Sequence, residues 1–272
     1  MAPKAPAQQV AELLDELDMT CLEDLDLVRV AEHINIEIRY AQLDACAANI
    51  IGVGEHAIMT VDQASTLGRK RYSIGHEIGH WIYDKGRGLY LCETKDLNVP
   101  WNSRSRTSPA ERRANRFAAE LLMPRDWFRE AARDREISFD TVEELGEHFQ
   151  TSRTSTAIRL VELGSYLAML IMFDCRGLRK WYCASTDFPE RMYPCKNIPH
   201  NSHAWQDILR TKLLRSDGHE VDGDLWLDHP RAFEITVYEQ AIRVGKNVLV
   251  MISLRDDSIV SEIIESDEAG SS

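Results

Sequence analysis

Two imidazoles four residues apart with a carboxylate between them, His76-Glu77-Ile78-Gly79-His80, are the strongest chemical signal in the sequence. On a helix turning about 100° per residue, His76 and His80 stand about 40° apart, one turn above the other, so both can reach one metal ion. Glu77 falls about 100° from His76, near enough to hold a water at that ion without ligating it. This is the His-Glu-x-x-His pattern in which two histidines bind zinc and the glutamate is a general base. The opposite side offers Ile74, Ile78, Trp81 and Ile82 as an apolar stripe for a core. Gly75 and Gly79 each cost about 1 kcal/mol of helix propensity, which predicts a close-packed neighbour. Asp84-Lys85-Gly86 reads as the stop of this helix. The bland alternative is that three polar residues share a face by chance, and only a third protein ligand separates the two readings.

Candidates for that ligand lie on the next strong helical segment. Ser108 reads as its N-cap, Pro109 takes the first helical position, and Pro124 halts it after Met123. Ala114, Asn115, Ala118, Leu121 and Leu122 all lie within about 80° of Glu111, so Glu111 tops the apolar face. Glu120 lies about 180° away beside Arg113 and Arg116, on the side expected to be solvated. A carboxylate on an apolar face needs a partner, and a metal is one. Ser108-x-x-Glu111 also fits a capping box, in which Glu111 is purely structural, so spacing alone leaves both readings open.

Together, Arg69-Lys70-Arg71-Tyr72-Ser73-Ile74-Gly75-His76-Glu77-Ile78-Gly79-His80 and Glu111-x-x-Ala114-Asn115-x-Phe117-Ala118-Ala119-x-Leu121-Leu122-Met123-Pro124 resemble the ImmA/IrrE metallo-endopeptidases. Two linked motifs in the family's order are far more specific than either alone. The resemblance is firm over residues 25 to 125 and weaker to 163. Members typically carry alanine or a similar residue in place of Gly75 and leucine in place of Ile78; neither difference touches a ligand. In that family the glutamate of the Glu-x-x-Ala-Asn segment is the third metal ligand. The resemblance therefore implies His76, His80 and Glu111 as ligands, Glu77 as the catalytic residue, and zinc as the usual ion with manganese as the alternative. It also implies a protein substrate, a helix-turn-helix repressor of the Xre type, whose cleavage induces stress-response or mobile-element genes.

The elements that must position these groups follow from local pattern. Residues 1 to 9 read as a loose tail, and Val10 to Leu17 and Asp24 to His33 as helices. Ile34 to Tyr40 alternates strictly and predicts a strand whose apolar face is Ile34, Ile36, Ile38 and Tyr40. Ala47 to Gly54 and Glu55 to Val61 read as a strand pair leading to the metal helix, where an extended peptide could add by main-chain pairing. Gly86 to Thr107 reads as a loop over the edge of the site. Thr141 to Phe149, a turn at Gln150-Thr151, and a second helix capped by Ser152 and running through Leu163 form a helix-turn-helix-like segment. From Arg125 to Glu162 there are six arginines against nine acidic residues, so the basic face of a DNA reader is missing.

Further on, Tyr166 to Phe173 reads as a buried strand, followed by a strand over Leu178 to Ser185. His203 to Leu214 reads as a helix, and Phe233 to Arg243 with Val248 to Leu254 as a hairpin. His200, His203, His219 and His229 show no ligand spacing and are read as solvated or hydrogen-bonded. Trp181, Trp205 and Trp226 are read as core.

The expected fold class is α+β. A zincin-like peptidase core with the His-Glu-x-x-His helix is expected over residues 1–135, and the helix-turn-helix-like segment over 136–164. A C-terminal mixed α+β (GAF-like) module, resembling the IrrE branch, is expected over 165–261 as the receiver of a small-molecule or protein signal. Residues 262–272 read as a disordered acidic tail. A net charge of −12 argues against non-specific nucleic-acid binding and against anionic membrane surfaces. No apolar run suits a signal peptide or a bilayer span, and six cysteines without Cys-x-x-Cys pairs read as reduced thiols, so cytoplasm is the expected compartment. The expected activity is a zinc-dependent endopeptidase. The alternative is a non-catalytic, metal-stabilised regulator that acts by protein binding.

Overall fold

The structure, a computed structural model, describes residues 4–44, 46–85, 108–254 and 262–263. The chain divides into two compact units, Met1–Arg133 with Glu143–Thr156, and Asp134–Val142 with Ala157–Ser272. The loop predicted over 86–107 lies outside the described residues. Of residues 262–272 only Glu262 and Ile263 are described, and Ile263 is buried in the core of the second unit.

In the first unit, helix α1 (Pro6–Glu16) begins inside the stretch expected to be loose. Proline at its start fixes a helical φ, and burial of Val10, Leu13 and Leu14 holds it. The next helix, α2 (Leu27–His33), is capped by Asp26, whose carboxylate accepts from Val28 N and Arg29 N. Asn35 then turns the chain with a φ of 61°, so strand β1 (Ile36–Ala41) starts two residues later than predicted. Of its expected apolar face Ile36 is buried and Ile38 half-buried. Tyr40 is 54% exposed, since β1 is an edge strand. Strands β2 (Ala48–Val53) and β3 (His56–Asp62) complete a sheet of order β1-β3-β2, with β1 parallel and β2 antiparallel to β3. Alternation along β3 buries Ala57, Met59 and Val61 on the core face.

Helix α3 (Leu67–Asp84) packs on β2 and β3, burying Ile74, Ile78 and Trp81. The Trp81 indole N–H donates to Ile34 O at 3.0 Å, which ties the helix to the start of the sheet. Helix α4 (Pro109–Leu122) lies along α3. A Cβ at Gly75 would sit 3.2 Å from Ala118 Cα, and one at Gly79 would sit 3.0 Å from Ala114 Cα. The close neighbour predicted from the two glycines is therefore α4, and small residues on both helices set their separation. After Pro124 comes α5 (Arg125–Ala132), and then α6 (Phe139–His148) and α7 (Arg153–Leu163) around the turn at Gln150, whose φ is 54°. Ser152 Oγ accepts from Ser155 N at 3.2 Å, as the sequence predicts for a cap, while α6 starts two residues before Thr141, behind Ser138.

The second unit is built on strands β4 (Ala168–Phe173), β5 (Arg179–Ala184), β6 (Tyr193–Pro194), β7 (Arg215–Asp222), β8 (Leu227–Asp228), β9 (Thr236–Val244) and β10 (Asn247–Leu254). Five of them form a sheet of order β5-β4-β10-β9-β7, and β6 with β8 forms a short separate ladder. Every neighbouring pair in the five-stranded sheet is antiparallel. Strand β4 is buried throughout, which explains its continuous apolar sequence. Strand β7 escapes the sequence reading, because Arg-Ser-Asp-Gly-His-Glu-Val-Asp lacks apolar alternation. The helix predicted from His203 is a π-helix, Ala204–Arg210. Trp181 and Trp226 are buried as expected, and Trp205 is half-buried.

Candidate metal centre

His76 and His80 stand one turn apart on α3, with their Nε2 atoms 3.1 Å apart. Glu111, in the first turn of α4, reaches back to both: its Oε2 lies 3.2 Å from His76 Nε2 and its Oε1 lies 3.2 Å from His80 Nε2. The glycine-lined approach of α3 and α4 is what brings this carboxylate within reach. Both imidazoles are buried, while the Glu111 side chain is 18% exposed, leaving one side open. Ligand atoms of a tetrahedral zinc at about 2.0–2.2 Å stand about 3.3–3.6 Å apart, so the three donors need only spread slightly. Two imidazole nitrogens and a carboxylate oxygen are also a donor set suited to zinc or a similar divalent ion.

The electrostatics agree with a site built for positive charge. Burial by itself would raise the Glu111 carboxyl, but hydrogen bonds and charge from His76 and His80 outweigh it and hold the group well below the usual carboxylate range. Burial opposes the charged form of His80. Glu111, the Glu77 charge and Asp84 more than offset that and raise its pKa. Glu77 itself is 1% exposed. Tyr72 Oη donates to Asn115 Oδ1 at 3.0 Å, so the asparagine of the second motif links α4 to α3 beside the site. The Tyr72 ring stacks on His76 with centroids 6.3 Å apart, and burial keeps its hydroxyl protonated.

Three placements differ from expectation or add to it. Ser108 Oγ accepts from Glu111 N at 3.2 Å, so the cap is made, but it uses the backbone of Glu111 and leaves the carboxylate to the histidines. Glu120, expected on a solvated face, is 1% exposed and pairs with Arg116 at 2.8 Å and Arg125 at 3.6 Å, because α1 covers that side of α4. Asp84, read as part of a stop signal, is the last residue of α3 and also serves the site. It is buried with Oδ2 at 3.3 Å from His80 Nδ1, and Oδ1 accepts from Arg113. Its spacing of four residues from His80 is the signal that could have found it. An imidazole donating from Nδ1 to Asp84 presents Nε2 as a lone pair, the tautomer that a metal ion at Nε2 would require. Asp84→Asn is expected to weaken zinc binding at this site by roughly 10- to 100-fold, read by competition with a chromophoric chelator; unchanged affinity would remove Asp84 from this role.

A buried His-Glu-x-x-His helix facing a carboxylate from a second helix forms a group that could hold a metal ion. Residues 31–161 match the family model described as the IrrE N-terminal-like domain, Peptidase_M78. That match, over just under half of the chain, supports an ImmA/IrrE-type family. Among curated proteins, none matches the chain in sequence. A solved structure described as a Mycobacterium tuberculosis transcriptional regulator is similar in fold, with a TM-score of 0.58 and 15% identity, over 92% of this chain and 76% of that one. No helix among the described residues is long and apolar enough to cross a membrane. Five cysteines, 21, 46, 175, 183 and 195, are free, and Cys92 lies outside the described residues.

Proposed function

We propose that the chain is a metal-dependent endopeptidase in which His76, His80 and Glu111 hold one divalent ion, zinc by preference and manganese as the alternative, with Glu77 as general base. The observation that carries this reading is the convergence of two imidazole nitrogens 3.1 Å apart with the Glu111 carboxylate, one oxygen of which lies 3.2 Å from the first nitrogen and the other 3.2 Å from the second, beside a buried glutamate. When bound, such an ion polarises a scissile carbonyl and lowers the pKa of a water to about 7. Glu77 takes the proton of the attacking water and delivers it to the leaving amine. Asp84 holds His80 in register through Nδ1, and Tyr72 with Asn115 fixes α4 against α3 so that Glu111 keeps its position.

The substrate in this reading is a helix-turn-helix repressor of the Xre type in the cytoplasm, cut to release stress-response or mobile-element genes. The family of residues 31–161 supports it, and the net charge of −12 favours a protein over DNA as the partner. Residues 1–135 would be the zincin-like peptidase domain and 136–164 a helix-turn-helix-like recognition segment. Residues 165–261 would be a GAF-like domain that gates cleavage on binding a small-molecule or protein signal. A second reading, a metal-stabilised regulator acting by binding alone, draws on the fold likeness to a transcriptional regulator. A buried Glu77 weighs against it, since a structural metal site has no use for a base. Incubation with a helix-turn-helix repressor of the Xre type that binds the chain should give two fragments by mass spectrometry, abolished by a chelator and restored by zinc. Stable binding without fragments in the presence of zinc would overturn the peptidase reading.

A further inference from the structure

The four C-terminal histidines show no ligand spacing in sequence, yet the fold of the second unit brings two of them together. Among the described residues two groups of three donors lie close enough to hold an ion, and the second is His203, Asp207 and His219. We propose that these three residues form a second site for a divalent transition cation, separate from the one on α3 and α4. The inference does not depend on the peptidase reading.

Each residue reaches the cluster through an unusual backbone feature. His203 is in helical conformation (φ −65°, ψ −36°) at the head of the π-helix Ala204–Arg210, and Asp207 follows four residues later. In an i→i+5 helix, residues four apart lie nearly one turn above each other, so the imidazole and the carboxylate share a side. His219 comes from β7, where the register against β9 shifts between Ser216 and His219. Such an irregularity re-aims a side chain, and Gly218 within it leaves room for the Tyr238 ring, since a Cβ there would lie 2.0 Å from Tyr238 Oη.

The surroundings fix these donors as second partners fix metal ligands. Ser216 Oγ, buried, donates to Asp207 Oδ2 at 2.7 Å. Leu213 N donates to Asp207 O at 2.8 Å and Thr211 Oγ1 to the same oxygen at 2.7 Å, holding the end of the π-helix. Opposite His219 in register is Glu239, buried, with one oxygen accepting from Ala204 N at 2.6 Å and the other from Trp226 Nε1 at 2.9 Å. Glu239 thus clamps the head of the π-helix to the sheet just where His203 meets His219.

The His203 and His219 rings stack with centroids 3.6 Å apart and planes 14° from parallel. The donor atoms of the three residues lie within 4.8 Å of one another, whereas ligand atoms of a tetrahedral ion at about 2.1 Å stand about 3.4 Å apart. The closure required is at most about 1.4 Å per pair, and rotation about the soft terminal torsion of each imidazole moves its nitrogens on that scale. All three residues are half-buried, so the cluster is accessible and three protein ligands leave positions for water. Two imidazoles with one carboxylate select zinc, cobalt, nickel or iron(II) over magnesium or calcium.

The test is a titration of the metal-free full-length chain with cobalt(II) or zinc. The parent chain should bind about two ions, and His203→Asn and Asp207→Asn should each bind about one, with far-UV circular dichroism unchanged. His80→Ala should also bind about one, and added zinc should raise its thermal midpoint, an effect absent when Asp207→Asn is combined with it. The inference is overturned if His203→Asn and Asp207→Asn bind as many ions as the parent, or if His80→Ala alone binds none.

Discussion

On the proposed peptidase reading, glutamine in place of Glu77 should slow cleavage of a repressor substrate by roughly 10²–10⁴-fold while the chain still folds, holds an ion and binds that substrate. Glutamine keeps the size and hydrogen-bonding reach of glutamate but cannot accept a proton at neutral pH. Glu77 is not one of the three clustered donors, so ion content measured on the purified variant should match the parent. Single-turnover cleavage separates the chemical step from binding, and pull-down of the uncut repressor measures binding directly. In cells carrying only the variant, the repressed genes should stay silent. A normal response in those cells would mean that the chain works by binding, whatever the motif suggests.

The second large effect is expected at Glu111. Alanine there removes one of the three proposed protein ligands, a greater loss than the roughly 10- to 100-fold that an outer-shell change costs. The chain should lose about one bound ion, counted by native mass spectrometry after dialysis. Glu120→Ala is the matched control on the same helix. It strips Arg116 and Arg125 of a buried carboxylate, so the thermal midpoint should fall while the ion count stays at the parental value. The opposite pattern, ions retained in Glu111→Ala and lost in Glu120→Ala, would place the third ligand on the other face of α4.

What the sequence determined by itself is what repeats within a few residues. The His76–Glu77–His80 geometry follows from helical pitch, the α3–α4 approach from Gly75 and Gly79, and the α4 start from Ser108-Pro109, because each depends on neighbours along one helix. Glu111 was half legible: its place atop an apolar face is periodic, but its choice over a purely capping role needed a second motif. Tertiary structure decided whatever depends on which element covers which. Helix α1 buries Glu120 on a side that α4 alone presents as polar, and an edge position exposes Tyr40 on a strand that alternates correctly. The polar sequence of β7 becomes a strand only because β9 offers it a ladder. His203 and His219 meet for the same reason: sixteen residues apart, they share no local period, and only the π-helix, the register shift in β7 and the Glu239 clamp bring their rings together.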